Sequence, residues 1–156
     1  MGLAGAKRIV AEGGSVIVTG LSPDRIDGTR REFGDRGQVL ANDAADPASV
    51  AMLAETANNA GGLNGLWLNA GYAALGTPEE VDASAFDRMM AANVRGPMLQ
   101  LAVLSDHLRD GASVVVTSSS STYEGAAAQA CTLPPKGHWS RWHGLGRRHS
   151  RREASV

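Results

Sequence analysis

The chain has 156 residues, a length that suits one domain, with 43% apolar, 20% charged and only 4% aromatic residues and a net charge of −1. A single cysteine, Cys131, excludes an intramolecular disulfide framework and a multi-cysteine zinc site. There is no apolar run of the roughly 18 residues a membrane-spanning helix needs, and the start MGLAGAKRIV lacks the basic, apolar, small-residue order of a signal peptide, so a cytoplasmic location is expected and no membrane partner.

Residues 3–12 put Leu3, Ala6, Ile9 and Val10 on one helical face, and Gly13 and Gly14 suit the turn that ends it. Residues 15–19 (SVIVT) are a short β-branched run, as expected of a strand covered on both faces. Ser22 with Pro23 offers a helix start, and a polar helix to about Phe33 follows. Residues 38–41 (QVLA) form the next strand. Asp46-Pro47 repeats the cap-plus-proline start, before the apolar stripe Val50, Leu53, Ala54, Ala57. Residues 65–68 (GLWL) form a third strand. Asp82 or Ser84 caps a long helix carrying Phe86, Met89, Met90, Val94, Leu101 and Leu104, and residues 113–117 (SVVVT) form a fourth strand.

Short buried strands alternating with helices predict βαβ units: an α/β fold with a parallel sheet and helices on both faces. Ligands of such sheets bind beyond the carboxyl ends of the strands. Small and polar residues stand there: Thr19-Gly20, Asn42-Asp43, Asn69-Ala70-Gly71, and the run from Ser118 to Ser121. They suit a ligand with hydroxyls, amides and phosphates.

The composition breaks near Ala130. Residues 1–129 hold 9 Lys+Arg against 15 Asp+Glu, whereas residues 130–156 hold 6 against 1, with three of four histidines and two of three tryptophans. Two regions are therefore expected: a folded domain over 1–129 and a basic, disordered tail over 130–156.

The strand-end residues of the first region resemble the short-chain dehydrogenase/reductase family. The matching pieces are Leu68-Asn69-Ala70-Gly71, the stretch Asn93-Val94-Arg95-Gly96-Pro97, the run SVVVTSS ending at Ser119, and Asp43 within NDAAD. Gly2 resembles the last glycine of the family's glycine-rich dinucleotide turn. The four pieces stand in the family's order over residues 2–129. The resemblance implies a partial Rossmann-type, doubly wound sheet and an NAD(P)(H)-dependent oxidoreductase acting on a small-molecule alcohol or carbonyl. It puts Gly2, Asp43, Asn69, Ala70 and Gly71 at the cofactor, with Asp43 accepting from the adenine amino group and Gly71 allowing close approach. It makes Ser119 the partner of the substrate oxygen, stabilising charge that develops there, and gives Asn93 a helix kink and a water of a proton relay. NADP is favoured slightly over NAD, because no acid stands at Thr19-Gly20-Leu21 and Arg25 lies close by. Family members associate through the long helix around Asn93, so a homo-oligomer is implied for an intact member.

Each residue also has an ordinary structural reading: Asp43 as a turn residue, Asn69 and Gly71 as a strand-end turn, Asn93 as an exposed helix residue, Ser119 as one of four loop serines.

The chain departs from the family in two places. Met1 falls inside the Thr-Gly-x-x-x-Gly-x-Gly turn, so the resemblance implies a truncated first strand. The family's Tyr-x-x-x-Lys pair has Thr132 at the tyrosine place. Lys136 matches by position only, after Pro134-Pro135, which break a helix. Back-translated and displaced by two nucleotides, the codons from Ala130 onward are compatible with Val-Tyr-Ala-Ala-Thr-Lys-Gly-Ala-Leu, which restores that pair. A frameshift near codon 130 is the hypothesis, and sequencing the locus tests it: it fails if no single-base change restores the longer frame. The expectation is a chain without useful dehydrogenase turnover. Two other classes stand beside it. One is a non-catalytic nucleotide- or protein-binding remnant. The other is a nucleic-acid arm built on Arg141, Arg147, Arg148, Arg151 and Arg152 with Trp139 and Trp142, the less favoured reading. His138, His143 and His149 fit no compact metal spacing.

Overall fold

The structure, a computed structural model, describes residues 1–73, 78–80 and 82–119. It is an α/β arrangement of parallel strands and helices. The elements, in chain order, are α1 (Gly2–Ala11), β1 (Val16–Gly20), α2 (Pro23–Phe33), β2 (Gly37–Ala41), α3 (Val50–Asn59), β3 (Leu63–Leu68), α4 (Ala83–Met90), a π-helical turn (Ala91–Arg95), α5 (Gly96–Leu104) and β4 (Leu108–Val116).

The strands pair as two parallel ladders. β1 runs beside β2 with Val18 opposite Val39, and β3 runs beside β4 with Leu66 opposite Val114. The single sheet expected from the sequence is thus divided: among the described residues β1 and β3 do not pair. Helix α1 joins the two ladders. Its Ala6 and Val10 pack with Val16 and Val18 of β1, and its Gly5 lies against the Trp67 ring of β3.

Helices cover both faces, for a reason visible in β2. Side chains alternate along a strand. Val39 enters a cluster with Ala6 of α1 and Ile26 and Phe33 of α2. Its neighbour Leu40 points the other way, into a cluster with Leu53 and Ala57 of α3 and Leu104 of α5, beside Leu63 and Leu66 of β3.

The local starts and stops mostly follow the sequence. Gly13 takes φ +90°, a left-handed conformation that ends α1. Asp82 caps α4 by accepting from Ala85 N at 2.8 Å, and Asp46 accepts from Ala48 N at 2.9 Å. Ser22 stands at the N-cap of α2 but makes no side-chain cap bond, contrary to the expected cap. Asp46-Pro47 opens a short 3₁₀ turn (Pro47–Ser49) that leads into α3.

β3 and β4 begin earlier than the apolar runs suggest, at Leu63 and Leu108. The reason is a polar anchor: the Arg109 guanidinium donates to Gly61 O from Nε at 2.9 Å and from Nη2 at 2.8 Å. Gly111, at φ +78°, lies where the register shifts between Leu63 and Gly65.

The long helix expected after Asp82 is continuous but not uniformly α-helical. Ala91–Arg95 forms a π-helical turn, and Asn93 is buried within it. Such turns cluster at functional sites. No helix among the described residues is long and apolar enough to cross a membrane.

Candidate cofactor and substrate site

Within each ladder the two strands run in parallel, so their carboxyl ends bring polar residues together. Each ladder extends one hydrogen bond beyond its strands: Asn42 N donates to Gly20 O and Thr117 N donates to Leu68 O, both at 3.0 Å. The next residues, Asp43 after β2, Asn69-Ala70-Gly71 after β3 and Ser118-Ser119 after β4, stand at this end.

Gly2 and Asn69 are in close approach. A Cβ on Gly2 would lie 2.8 Å from Asn69 Nδ2, too near for any other residue without displacement. The first turn of α1 therefore meets the end of β3 with bare backbone. Among the described residues no side chain caps α1, and the N–H groups of a first helical turn have no acceptor within the helix. Ala70 and Gly71 are exposed at the same end.

The Asn69 side chain is held from the other side. Trp67 Nε1 donates to Thr117 Oγ1 at 2.8 Å, and Thr117 Oγ1 donates to Asn69 Oδ1 at 3.0 Å. Sequence reasoning missed Trp67 and Thr117. The available signal was a lone indole in the short run GLWL of β3.

Asp43 is exposed, and its Oδ1 accepts from Ala45 N at 2.9 Å. The carboxylate thus shapes its own loop. That loop rests on the π-helical turn and α5: Arg95 Nη2 donates to Ala45 O at 2.9 Å, and Gly96 sits so tightly that an added Cβ would be 1.9 Å from Ala44 O. The preceding residue, Asn42, is buried. Its Nδ2 donates to Ser49 O at 3.1 Å, while its Oδ1 is buried without a partner among the described residues. The sequence marked Asn42 as a polar strand-end residue but not its burial.

Asn93 makes a two-point bond to the segment after Gly71. Its Oδ1 accepts from Tyr72 N at 2.8 Å, and its Nδ2 donates to Tyr72 O at 2.7 Å. The exposed-helix reading of Asn93 is therefore corrected: the side chain is buried, and it fixes the loop that carries Asn69-Ala70-Gly71. The Arg88 guanidinium lies over the Tyr72 ring, 5.7 Å from its centre. Ser119 is half-buried at the end of the described chain. Lys136, and the arginines and tryptophans of the tail, lie outside the described residues.

Asp82, at the start of α4, departs from its ordinary titration. The Ala85 N–H and the Ser84 hydroxyl, both bonding to Asp82, hold its pKa below the usual carboxylate value. This is a helix cap rather than a reacting group. Among the described residues no three His, Cys, Asp or Glu side chains group to hold a metal ion.

Known proteins share this arrangement. The family model described as Enoyl-(Acyl carrier protein) reductase matches residues 1–137. The 2-(R)-hydroxypropyl-CoM dehydrogenase of Xanthobacter autotrophicus is 34% identical over 128 residues, covering 76% of this chain and 51% of that protein. The glucose 1-dehydrogenase of Gluconobacter oxydans is 29% identical over 130 residues, covering 80% of this chain and 49% of that protein. Among solved structures, a short-chain dehydrogenase from Burkholderia cenocepacia in complex with NADP superposes with a TM-score of 0.82 at 26% identity, over 88% of this chain and 58% of that one. A short-chain dehydrogenase/reductase from Serratia marcescens gives 0.81 at 28% identity, over 88% and 59%. The chain spans about half the length of these two curated relatives. With the family model matched over most of its length and the Rossmann-type architecture shared with these structures, the chain belongs to the short-chain dehydrogenase/reductase family.

Proposed function

We propose that this chain is the dinucleotide-binding part of an NAD(P)(H)-dependent oxidoreductase that interconverts an alcohol and a carbonyl compound. The observation that carries the reading is the meeting of Gly2 with Asn69. Bare backbone at an uncapped helix start, beside the carboxyl end of a parallel strand, fits a phosphate-bearing ligand. The residues fit the group in other respects. Gly71 keeps the backbone after β3 open to close approach, and exposed Asp43 offers an acceptor for an adenine amino group.

When bound, the nicotinamide supplies the hydride acceptor or donor. The chain supplies position and polarity. Asn93 fixes the main chain at Tyr72 and so sets the loop from Asn69 to Gly71. Ser119 orients the substrate oxygen by hydrogen bonding and stabilises charge there. The family's acid/base tyrosine has Thr132 at its place, and Lys136 matches by position alone. Binding without useful turnover is therefore the expected behaviour. NADP is slightly preferred over NAD, since Thr19-Gly20-Leu21 presents no carboxylate to repel a 2′-phosphate. Self-association through the helix bearing Asn93 follows the family pattern.

Titration of the purified chain with NADPH and NADH, followed by dinucleotide fluorescence and calorimetry, tests the proposal. Saturable binding, tighter for NADPH and without alcohol-dependent turnover, is expected. Absence of saturable binding of either dinucleotide overturns it.

A further inference from the structure

We propose that Trp67 is a positioning residue for the dinucleotide-binding end of the fold, acting through Thr117 to hold the Asn69 carboxamide with Nδ2 turned toward the first turn of α1. The inference rests on the functional reading above and deepens it.

The argument is one of donor order. An indole N–H only donates. Trp67 Nε1 donates to Thr117 Oγ1, and the Thr117 hydroxyl donates to Asn69 Oδ1, so the carboxamide oxygen faces Thr117. The indole takes one lone pair of Oγ1, which favours this order over a second donation to the same oxygen. The NH₂ group then faces away from Thr117, toward Gly2, where an added Cβ would lie 2.8 Å from it. There it adds side-chain donors beside the main-chain N–H groups of the first helical turn. Were the carboxamide reversed, an acceptor would stand at that point and repel an anionic group.

The position of the ring supports a dedicated role. A Cβ on Gly5 would lie 2.2 Å from Trp67 Cζ3, so the indole fills space that only glycine leaves in α1. Gly2 and Gly5, one turn apart, thus admit Asn69 and Trp67 in turn. An aliphatic residue would serve a strand as well, but it has no N–H to offer Thr117.

The test uses the full chain, isotopically labelled and without dinucleotide. In the parent protein, nuclear Overhauser contacts are expected between the Asn69 side-chain amide protons and the Gly2 α-protons. Trp67→Phe removes the N–H together with the outer part of the indole that lies against Gly5; Thr117→Val removes only the hydroxyl that relays the N–H and leaves the indole in place. Both variants should weaken those contacts and raise the dissociation constant for NADPH by roughly threefold to tenfold, as the competent orientation loses population. The double variant should bind no worse than Thr117→Val alone, and Thr117→Ser should restore the parent behaviour. Circular dichroism shows whether each variant is folded, and the Thr117 pair decides the matter if Trp67→Phe is not. Undiminished Asn69–Gly2 contacts in the variants, or a Thr117→Ser variant as impaired as Thr117→Val, overturn the inference. If the parent binds no dinucleotide, the functional reading fails by itself, and the amide contacts still decide the orientation.

Discussion

The carboxamide of Asn93 bonds to both main-chain polar groups of Tyr72, 21 residues away, at 2.8 and 2.7 Å. The π-helical turn makes this possible by turning a helix residue toward the loop after β3. Asn93→Ala would leave the amide and carbonyl of Tyr72 without these partners. We expect a loss of about 2 kcal/mol in urea unfolding. Asn93→Asp, which accepts but does not donate, should fall between the two. A variant as stable as the parent would show that the loop holds itself.

Gly96 tests the same junction from the other side. A methyl group there would meet Ala44 O at 1.9 Å, and backbone cannot step aside as a side chain can. Gly96→Ala should cost about 1–3 kcal/mol and shift the loop bearing Asp43. Amide chemical-shift changes at Asp43 to Asp46, with a lowered unfolding midpoint, are the expected record.

Met89 is the largest fully buried side chain among the described residues. Met89→Ala removes most of its packing and should destabilise the fold by about 2–5 kcal/mol in denaturant titration. Met89→Leu, of similar volume, should cost less than about 1.5 kcal/mol.

Asp82 gives the fold a specific acid sensitivity. Its pKa is lowered by folding, first by the Ala85 N–H and then by the Ser84 hydroxyl. A depressed carboxylate contributes stability that is present above its unfolded pKa and lost as pH falls through its folded value. The cap should therefore weaken below pH about 4 and be intact at neutrality. Asp82→Asn keeps an acceptor that does not titrate. Its unfolding midpoint should fall less steeply with acid than the parent's in thermal melts from pH 7 to pH 3.

Asp43 separates loop structure from ligand recognition. Asp43→Asn keeps an oxygen for Ala45 N but changes what the side chain presents to an adenine amino group. Stability should hold within about 0.5 kcal/mol, the range of ordinary surface changes. The NADPH dissociation constant should rise by roughly threefold to tenfold, for the weaker hydrogen bond of a neutral acceptor. Unchanged affinity would confine Asp43 to its turn.

Much of this architecture is legible in the residues. The runs SVIVT, QVLA, GLWL and SVVVT mark the cores of all four strands, because β-branched and apolar residues between turn residues have few other uses. The cap at Asp82 and the glycine turn at Gly13 are equally local. What sequence did not show depends on distant partners. The early starts of β3 and β4 follow from Arg109 reaching Gly61 across 48 residues. The grip of Asn93 on Tyr72 and the line from Trp67 through Thr117 to Asn69 are also tertiary. No spacing rule announces them, since each joins residues from different elements. The positions of the strand-end motifs were legible, because parallel strands bring their carboxyl ends together whatever the loops between them contain.

The alternation of Val39 and Leu40 has a further effect, on how the chain avoids misfolding. Sliding β2 by one residue against β1 would exchange the two side chains between faces. Val39 would leave the pocket beside Ile26 and Phe33, and Leu40 would leave Leu53, Ala57 and Leu104. Both cores would lose their fit at once, and Gly37 would be pulled from its tight seat on Phe33. A slipped pairing thus meets two penalties on opposite sides of one strand, and β2 acts as a ratchet with a single resting notch.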